Sequence, residues 1–268
     1  MSVDTVPDRV ADTETSQLNE AAQDYAENGY GILRGLFSTN EMALLDQEAR
    51  RLLTRTELID INNLRCRWQQ DVETDACVFD AFDPVTDLSD TIKKLAHDPR
   101  IEQLVAAIYG ESGHLFKDKL IFKPAGASGY AMHQDYIAWP TFPRSFLTVV
   151  VPIDAADKLS GCIQVFPGHH DRGCLTPEDG DYHELPANAV EEACAVELCL
   201  EPGDVAFFGG FMPHRSAPNR ARSSRRQLYL SYNAHSELGD YRTQHYQEFE
   251  RWLREQYAKY GRHEVYFK

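Results

Sequence analysis

Between residues 114 and 233 the chain is cut into short apolar segments, and this rhythm limits the possible fold more than any other feature. The segments are Leu115 to Lys123, Tyr130 to Asp135, Ser145 to Ile153, Cys162 to Phe166, Ala195 to Leu200, Val205 to Phe208, Arg215 to Ala217 and Gln227 to Tyr232. Turn formers separate them: Pro124-Ala125-Gly126, Pro167-Gly168, Pro202-Gly203-Asp204 and Gly209-Gly210. Short runs rich in β-branched and aromatic residues, bounded by proline and glycine, predict strands. Closely spaced strands with no helical pattern between them predict a sandwich or jelly roll.

Helical spacing flanks this region. Leu18, Ala21, Ala22 and Tyr25 predict a helix over Ser16 to Asn28, stopped by Gly29, with a strand over Tyr30 to Leu36. Ser38 and Glu41 have capping-box spacing ahead of Met42, Leu45, Ala49 and Leu52, which predicts a helix from about Thr39 to Thr54. Asp98-Pro99 starts a further helix that Gly110 ends. Residues 57 to 87 show no clean period, and loops with short strands near a pocket mouth are expected there. Tyr246, Phe249, Trp252, Leu253 and Gln256 predict a last helix over about 244 to 260. Residues 1 to 14, polar and acidic, are expected to be a disordered tail. The rest, 15 to 268, is expected to be one domain: a helical part to about 110, a β core over about 114 to 233, and the final helix.

The 268 residues carry a formal charge of −15, with a pI near 5.0, so an anionic nucleic-acid backbone or membrane surface is a poor partner. No apolar run is long enough to span a bilayer, and no signal-peptide pattern opens the chain. Six cysteines without a CxxC pair are expected to be reduced and mostly buried, as in a cytoplasmic protein.

His133-Gln134-Asp135 places an imidazole and a carboxylate two residues apart. On a strand or at its end, residues two apart point the same way, so both reach one ion. His214, 81 residues downstream, supplies a second imidazole. Two histidines and a carboxylate on one face of a metal leave positions open, the arrangement of non-haem Fe(II) oxygenases. His-x-Asp is common by chance, and His169-His170-Asp171 also qualifies, although it follows the turn Pro167-Gly168. Spacing alone barely separates the two triplets; the surroundings of His214 favour the first. Arg225 stands eleven residues after His214, opening the strand from Gln227, and its guanidinium suits bidentate grip of a carboxylate.

In order and spacing these pieces resemble the phytanoyl-CoA dioxygenase family of Fe(II)/2-oxoglutarate-dependent oxygenases. The matching pieces are Asn28-Gly29-Tyr30-Gly31-Ile32-Leu33, Phe122-Lys123-Pro124, His133-Gln134-Asp135, Trp139, Phe166-Pro167-Gly168, Pro202-Gly203-Asp204, His214, Ser216, Asn219 and Arg225, over about residues 18 to 233. The resemblance implies a double-stranded β-helix of the jelly-roll, cupin-like kind with helices outside. It implies His133, Asp135 and His214 as Fe(II) ligands and catalytic centre. It implies Arg225, Ser216, Thr148 and Lys119 or Lys117 around 2-oxoglutarate. Tyr136 and Trp139 fall where the family lines its substrate pocket, and Arg144 is a candidate for a substrate anion; core packing and a solvated loop are the plain alternatives. His169 and His170 are expected to be structural. Asp135 is retained where halogenating relatives have a small residue, which favours hydroxylation.

The expected activity is therefore hydroxylation of a small polar metabolite or natural-product intermediate, using O2 and 2-oxoglutarate and releasing succinate and CO2. The acidic chain suits an acyl-CoA poorly. The cations Lys117, Lys119 and Arg144 keep an aminophosphonate-type substrate open. Desaturation, epoxidation or ring formation at the same iron is a second outcome. A metal-binding jelly roll without turnover, or a Zn(II) hydrolase, is the rival class.

Overall fold

The computed structural model describes residues 7 to 261; the first part of the expected tail, residues 1 to 6, lies outside the described residues. The first helix, α1 (Pro7–Asn28), begins nine residues before the expected Ser16. Proline is well tolerated in a first helical turn. The following stretch, polar all round, carries no apolar stripe to betray a helix, which is why periodicity pointed to a tail. Then follow β1 (Tyr30–Leu33), α2 (Thr39–Leu53), β2 (Cys66–Gln70), β3 (Cys77–Phe82), α3 (Asp90–Ala96) and α4 (Pro99–Tyr109).

The local rules hold at the helix ends. Ser38 caps α2 and Glu41 closes the capping box, a feature worth about 1 kcal/mol. Asp98 caps α4, Pro99 takes its first turn, and Gly110 ends it with φ +72°. The strand expected over Tyr30 to Leu36 ends at Leu33, and α3 has no counterpart in the sequence prediction.

The β core runs through β4 (Gly113–Ile121), β5 (Tyr130–His133), β6 (Leu147–Pro152), β7 (Ile163–Val165), β8 (Val196–Leu198), β9 (Val205–Gly209), β10 (His214–Ser216) and β11 (Gln227–Ala234). Each expected strand is present, shifted by a few residues at its ends. Seven strands form one sheet in the order β1-β9-β6-β11-β4-β3-β2, and four form the other as β5-β10-β7-β8, all pairs antiparallel. This is the jelly-roll fold the sequence predicted, with helices outside. After β11, a short helix α5 (His235–Leu238) leads to α6 (Arg242–Tyr260).

The near-continuous apolar runs of β6 and β9 follow from burial on both faces. Val149, Val151 and Phe207 pack with Met42, Leu45, Leu52 and Leu104 of the helices. Val150, Ala206 and Phe208 point the other way, toward Ile163, Val165 and Leu198 of the small sheet. Burying one such side chain contributes roughly 1.5 to 3 kcal/mol. All six cysteines are free. Among the described residues no helix is long and apolar enough to cross a membrane.

The same alternation sets the interior of the jelly roll. On β4 the residues Lys117, Lys119 and Ile121 share one face, and on β11 their register partners are Ser231, Tyr229 and Gln227. Both lysines therefore point inward, which the sequence reading had left open between them: residues two apart on a strand share a face.

Candidate metal centre and its two cavities

The small sheet brings the two distant histidines face to face. His133 ends β5, His214 opens β10, and the two are direct cross-strand partners. Asp135 follows where β5 has ended. Its Oδ1 lies 3.8 Å from His133 Nε2 and 3.9 Å from His214 Nε2. The three ligand atoms lie within 4.8 Å of one another, and among the described residues this is the one cluster of metal-binding type.

Second partners fix each donor. His133 Nδ1 is 2.8 Å from the Ala131 carbonyl and His214 Nδ1 is 3.0 Å from the Met212 carbonyl. A carbonyl only accepts, so each Nδ1 carries the proton and each Nε2 keeps its lone pair for an ion. Burial lowers both imidazole pKa values, His133 to about 3, so both are neutral at pH 7. Burial alone would raise the Asp135 carboxyl; His214, Lys119 and His133 outweigh it and hold the group at about 2. Thr148 donates from Oγ1 to Asp135 Oδ2 at 3.2 Å and also meets Ser231 Oγ at 3.3 Å. Two neutral imidazoles and one carboxylate, aimed at one point, fit a divalent iron ion. The competing triplet is structural. His169 is buried, with Nδ1 near the Phe166 and Pro167 carbonyls, and Nε2 accepts from the Glu191 backbone.

Two cavities flank the triad. The inner one, about 30 Å³, is walled by His133 and His214 with Lys119, Tyr130, Ser216 and Tyr229. Next to it lies Arg225, 1% exposed. Its Nη1 donates to the Gly161 carbonyl at 2.8 Å, and its Nε has no partner. A buried cation with an unsatisfied donor is costly in isolation and fits a carboxylate arriving beside it. Lys123 is buried here too, donating to Gly161 O at 2.8 Å, Ala217 O at 2.6 Å and Ser216 Oγ at 3.0 Å. Gly161 (φ +68°) permits this crowding; a Cβ there meets Ala217 O at 2.2 Å and Lys123 Nζ at 2.8 Å. Lys123 was passed over as part of a sequence match, because nothing in Phe122-Lys123-Pro124 says that its ammonium is buried.

The outer cavity, about 170 Å³, has Asp135 on its floor and Arg67, Lys117, Lys119, Tyr182 and Phe249 among its walls. Sequence reasoning missed Arg67, Tyr182 and the part played by α6. The residues proposed from sequence for the substrate sit elsewhere. Trp139 donates its indole N–H to the Gly180 carbonyl at 2.5 Å and packs against Phe142 and Trp252. Tyr136 packs on Phe211, and Arg144 is exposed, 3.6 Å from Glu178. None of the three lines the cavity: β5 ends at His133, strand alternation stops there, and the following segment reaches the cavity through Ile137 and Phe142. Thr148, expected near the co-substrate carboxylate, instead holds Asp135. Arg226 pairs with Asp154 and Asp46 outside the barrel, and Asp204 accepts from Arg34 and from the Gly35 and Glu201 backbones to shape its turn.

Known proteins resemble this one in sequence and in fold. The chain is 36% identical over 156 residues to the methylphosphonate hydroxylase of Gimesia maris, covering 58% of each protein. It is 32% identical over 140 residues to the 2-aminoethylphosphonate dioxygenase of uncultured bacterium HF130_AEPn_1, covering 50% of this chain and 51% of the relative. The matched stretch thus spans little more than half the length of these curated relatives. The crystal structure of the epimerase SnoN in complex with Fe3+, alpha ketoglutarate and nogalamycin RO matches with a TM-score of 0.69 at 24% identity, over 82% of this chain and 84% of that one. EctD from S. alaskensis with 2-oxoglutarate and 5-hydroxyectoine matches with a TM-score of 0.65 at 22% identity, over 81% and 76%. At these identities the structural likeness speaks for the fold. The family model of phytanoyl-CoA dioxygenase (PhyH) matches residues 25–227, the stretch that carries the triad and every strand before β11, and this chain belongs to that family.

Proposed function

We propose that this protein is an Fe(II)- and 2-oxoglutarate-dependent oxygenase that hydroxylates a small anionic metabolite, of which a short phosphonate is the favoured class. The observation that carries the reading is the position of the triad between a clamp for a carboxylate and a second cationic cavity. His133, Asp135 and His214 would hold Fe(II). Arg225, Ser216 and Lys119 would hold 2-oxoglutarate on the inner side. Bound there, the iron supplies the chemistry that couples O2 and oxidative decarboxylation of 2-oxoglutarate, giving succinate and CO2, to oxidation of the substrate.

The protein's own residues do the rest. The Nδ1 protons, anchored on carbonyls, keep both imidazoles oriented. Thr148 keeps Asp135 turned toward the ion. Tyr182, Phe142 and Phe249 exclude water from the outer side. The outer cavity, about 170 Å³, has room for a small substrate. The phosphonate class draws on the names of the two relatives above and on the cations of the outer cavity.

Anaerobic titration of Fe(II)-loaded protein with 2-oxoglutarate tests the core of this reading. A visible charge-transfer absorption, followed by succinate release that depends on a phosphonate, is the expected result. Iron demonstrably bound without that absorption would sink it.

A further inference from the structure

The outer cavity contains a group of charges that the co-substrate clamp does not explain. Asp83, 4% exposed, faces two cations at once: Lys117 Nζ at 3.2 Å and Arg67 Nη2 at 3.3 Å. The Tyr246 hydroxyl also donates to Asp83, at 3.2 Å. Both cation contacts are longer than the roughly 2.7 to 2.9 Å of a fully engaged charged hydrogen bond. One carboxylate set against two cations leaves one positive charge over. Lys119 adds a further cation on the same wall, and the one acid that lines the cavity, Asp135, is committed to the triad.

These cations are held, not loose. Lys117 and Arg67 side chains are 18% and 15% exposed. Both lie over one ring: Lys117 Nζ is 4.0 Å and the Arg67 guanidinium 5.0 Å from the Phe249 centroid. Phe249 belongs to α6, and α6 is itself fastened by Arg242 on Asp118 and by Tyr246 on Asp83. Burial pushes the Lys117 ammonium below its ordinary pKa, and Asp83 only partly offsets this. A desolvated excess of positive charge is expensive unless an anion arrives to meet it.

We infer that Arg67 and Lys117 are the specificity-determining residues of the outer cavity, binding the terminal oxyanion of the substrate, a phosphonate or a carboxylate, beneath the Phe249 ring. Asp83 is a positioning residue that orients the two cations, and the Leu64 and Cys66 carbonyls, 2.6 and 3.3 Å from Arg67 Nη1, anchor the guanidinium. The inference rests on the oxygenase reading above for what happens next to the ligand, but the binding itself does not need iron. Lys117 and Lys119 sit two residues apart on β4, about 7 Å along the strand. Lys119 also reaches the inner cavity beside the triad. A molecule gripped at Lys117 therefore needs only a short carbon chain to extend to the metal centre. A phosphonate offers three oxygens to two cations and carries more charge than a carboxylate, so it is expected to bind more tightly.

Calorimetry with metal-free protein tests the site directly, with methylphosphonate and acetate as probes. Methylphosphonate is expected to bind, more tightly than acetate. Lys117→Met and Arg67→Gln are each expected to weaken it tenfold or more, with Lys117→Arg restoring most of the loss. In iron-loaded protein the same two variants are expected to raise the phosphonate KM, while the 2-oxoglutarate KM and its chelate absorption stay unchanged. Acetate binding more tightly than methylphosphonate would reassign the site to a carboxylate and overturn the phosphonate preference. Unchanged methylphosphonate binding in both variants would overturn the inference, as would a rise in the 2-oxoglutarate KM instead of the phosphonate KM. Absence of the chelate absorption in the wild-type protein would instead remove the oxygenase reading and leave the calorimetric result standing.

Discussion

The two cavities on either side of the triad are built from different material. Every wall of the inner one comes from paired strands of the β core. The basic side chains behind it are braced by backbone: Arg225 on Gly161, and Lys123, whose pKa burial lowers to about 6, on Gly161 and Ala217. The outer one is closed by elements added to the core, the β2 strand through Arg67, the loop that carries Tyr182, and α6 through Phe249, Trp252 and Leu253. Its cations meet side chains, Asp83 and Phe249, and Arg67 is tied in addition to the Leu64 and Cys66 carbonyls of its own hairpin. A pocket framed by backbone can change little without breaking the sheet. A pocket framed by side chains on added elements can be refitted to a new substrate while the sheet stays intact. The inner side thus has the construction of a site that is hard to alter, and the outer side that of one that can be refitted.

The largest expected effects come from the triad between them. His133→Ala, Asp135→Ala or His214→Ala is expected to abolish iron binding and all turnover, whereas His169→Ala keeps the metal. Iron content after anaerobic loading reads this out; equal loss in His169→Ala would show the wrong triplet was chosen. Next comes the contrast of sides. Arg225→Ala removes a buried charge-assisted contact worth about 2 to 3 kcal/mol, so the 2-oxoglutarate KM is expected to rise roughly 30- to 150-fold. The phosphonate KM should hardly move, the reverse of the pattern for Arg67 and Lys117. If Arg225→Ala shifted both constants together, the two cavities would be one site. A smaller effect is expected from Thr148→Val, which takes away the donor that turns Asp135 toward the ion. Loss of such a supporting bond typically costs 10- to 100-fold in metal affinity. An unchanged iron affinity would leave Thr148 with a packing role only.

This division also explains what could be seen in the sequence. The β core was legible because its strands are short, apolar and bounded by Pro-Gly turns, and because buried strands advertise themselves on both faces. His133, Asp135 and His214, which the fold brings together, were readable as a cluster from residue type and from the two-residue step at a strand end, and Arg225 only from its surroundings and the family resemblance. The bond of Thr148 to Asp135 was not legible, because spacing shows that a residue faces inward but not which neighbour it meets. Arg67 and Phe249 were not legible as site residues at all. Arg67 lies in a hairpin without clean alternation, and Phe249 follows helical spacing that marks an apolar face without saying what that face covers. Tyr136, Trp139 and Arg144 were proposed for the same side on the strength of their nearness to Asp135 in sequence. The segment after β5 does reach the outer cavity, but through Ile137, Phe142 and Phe146, because without strand alternation nearness in sequence does not say which side chains point inward.

The smallest effect at neutral pH, and the one that isolates the outer side, concerns His245 on α6. It is 1% exposed, stacked on Phe249 with ring centroids 5.8 Å apart and 4.3 Å from the Phe116 centroid, and neither ring nitrogen has a partner. Burial first, then the charge of Lys117, holds its pKa down at about 3. In the unfolded chain an imidazole titrates near 6.5. Between those values the unfolded state takes up a proton that the folded state refuses, so stability falls as pH drops from 6.5 toward 3. At pH 4 the loss from this one group is on the order of 3 kcal/mol. His245→Phe removes the titrating group and keeps a flat ring in the aromatic cluster. Its stability relative to wild type, from urea melts, is expected to be nearly unchanged at pH 7.5 and to improve steadily as the pH is lowered. His133 and His214 are also buried and neutral, but they titrate identically in both proteins and cancel from the difference. Parallel loss of stability in the two proteins would mean that His245 accepts its proton in the folded state, and that α6 is not packed against the cations of the outer cavity as tightly as its contacts require.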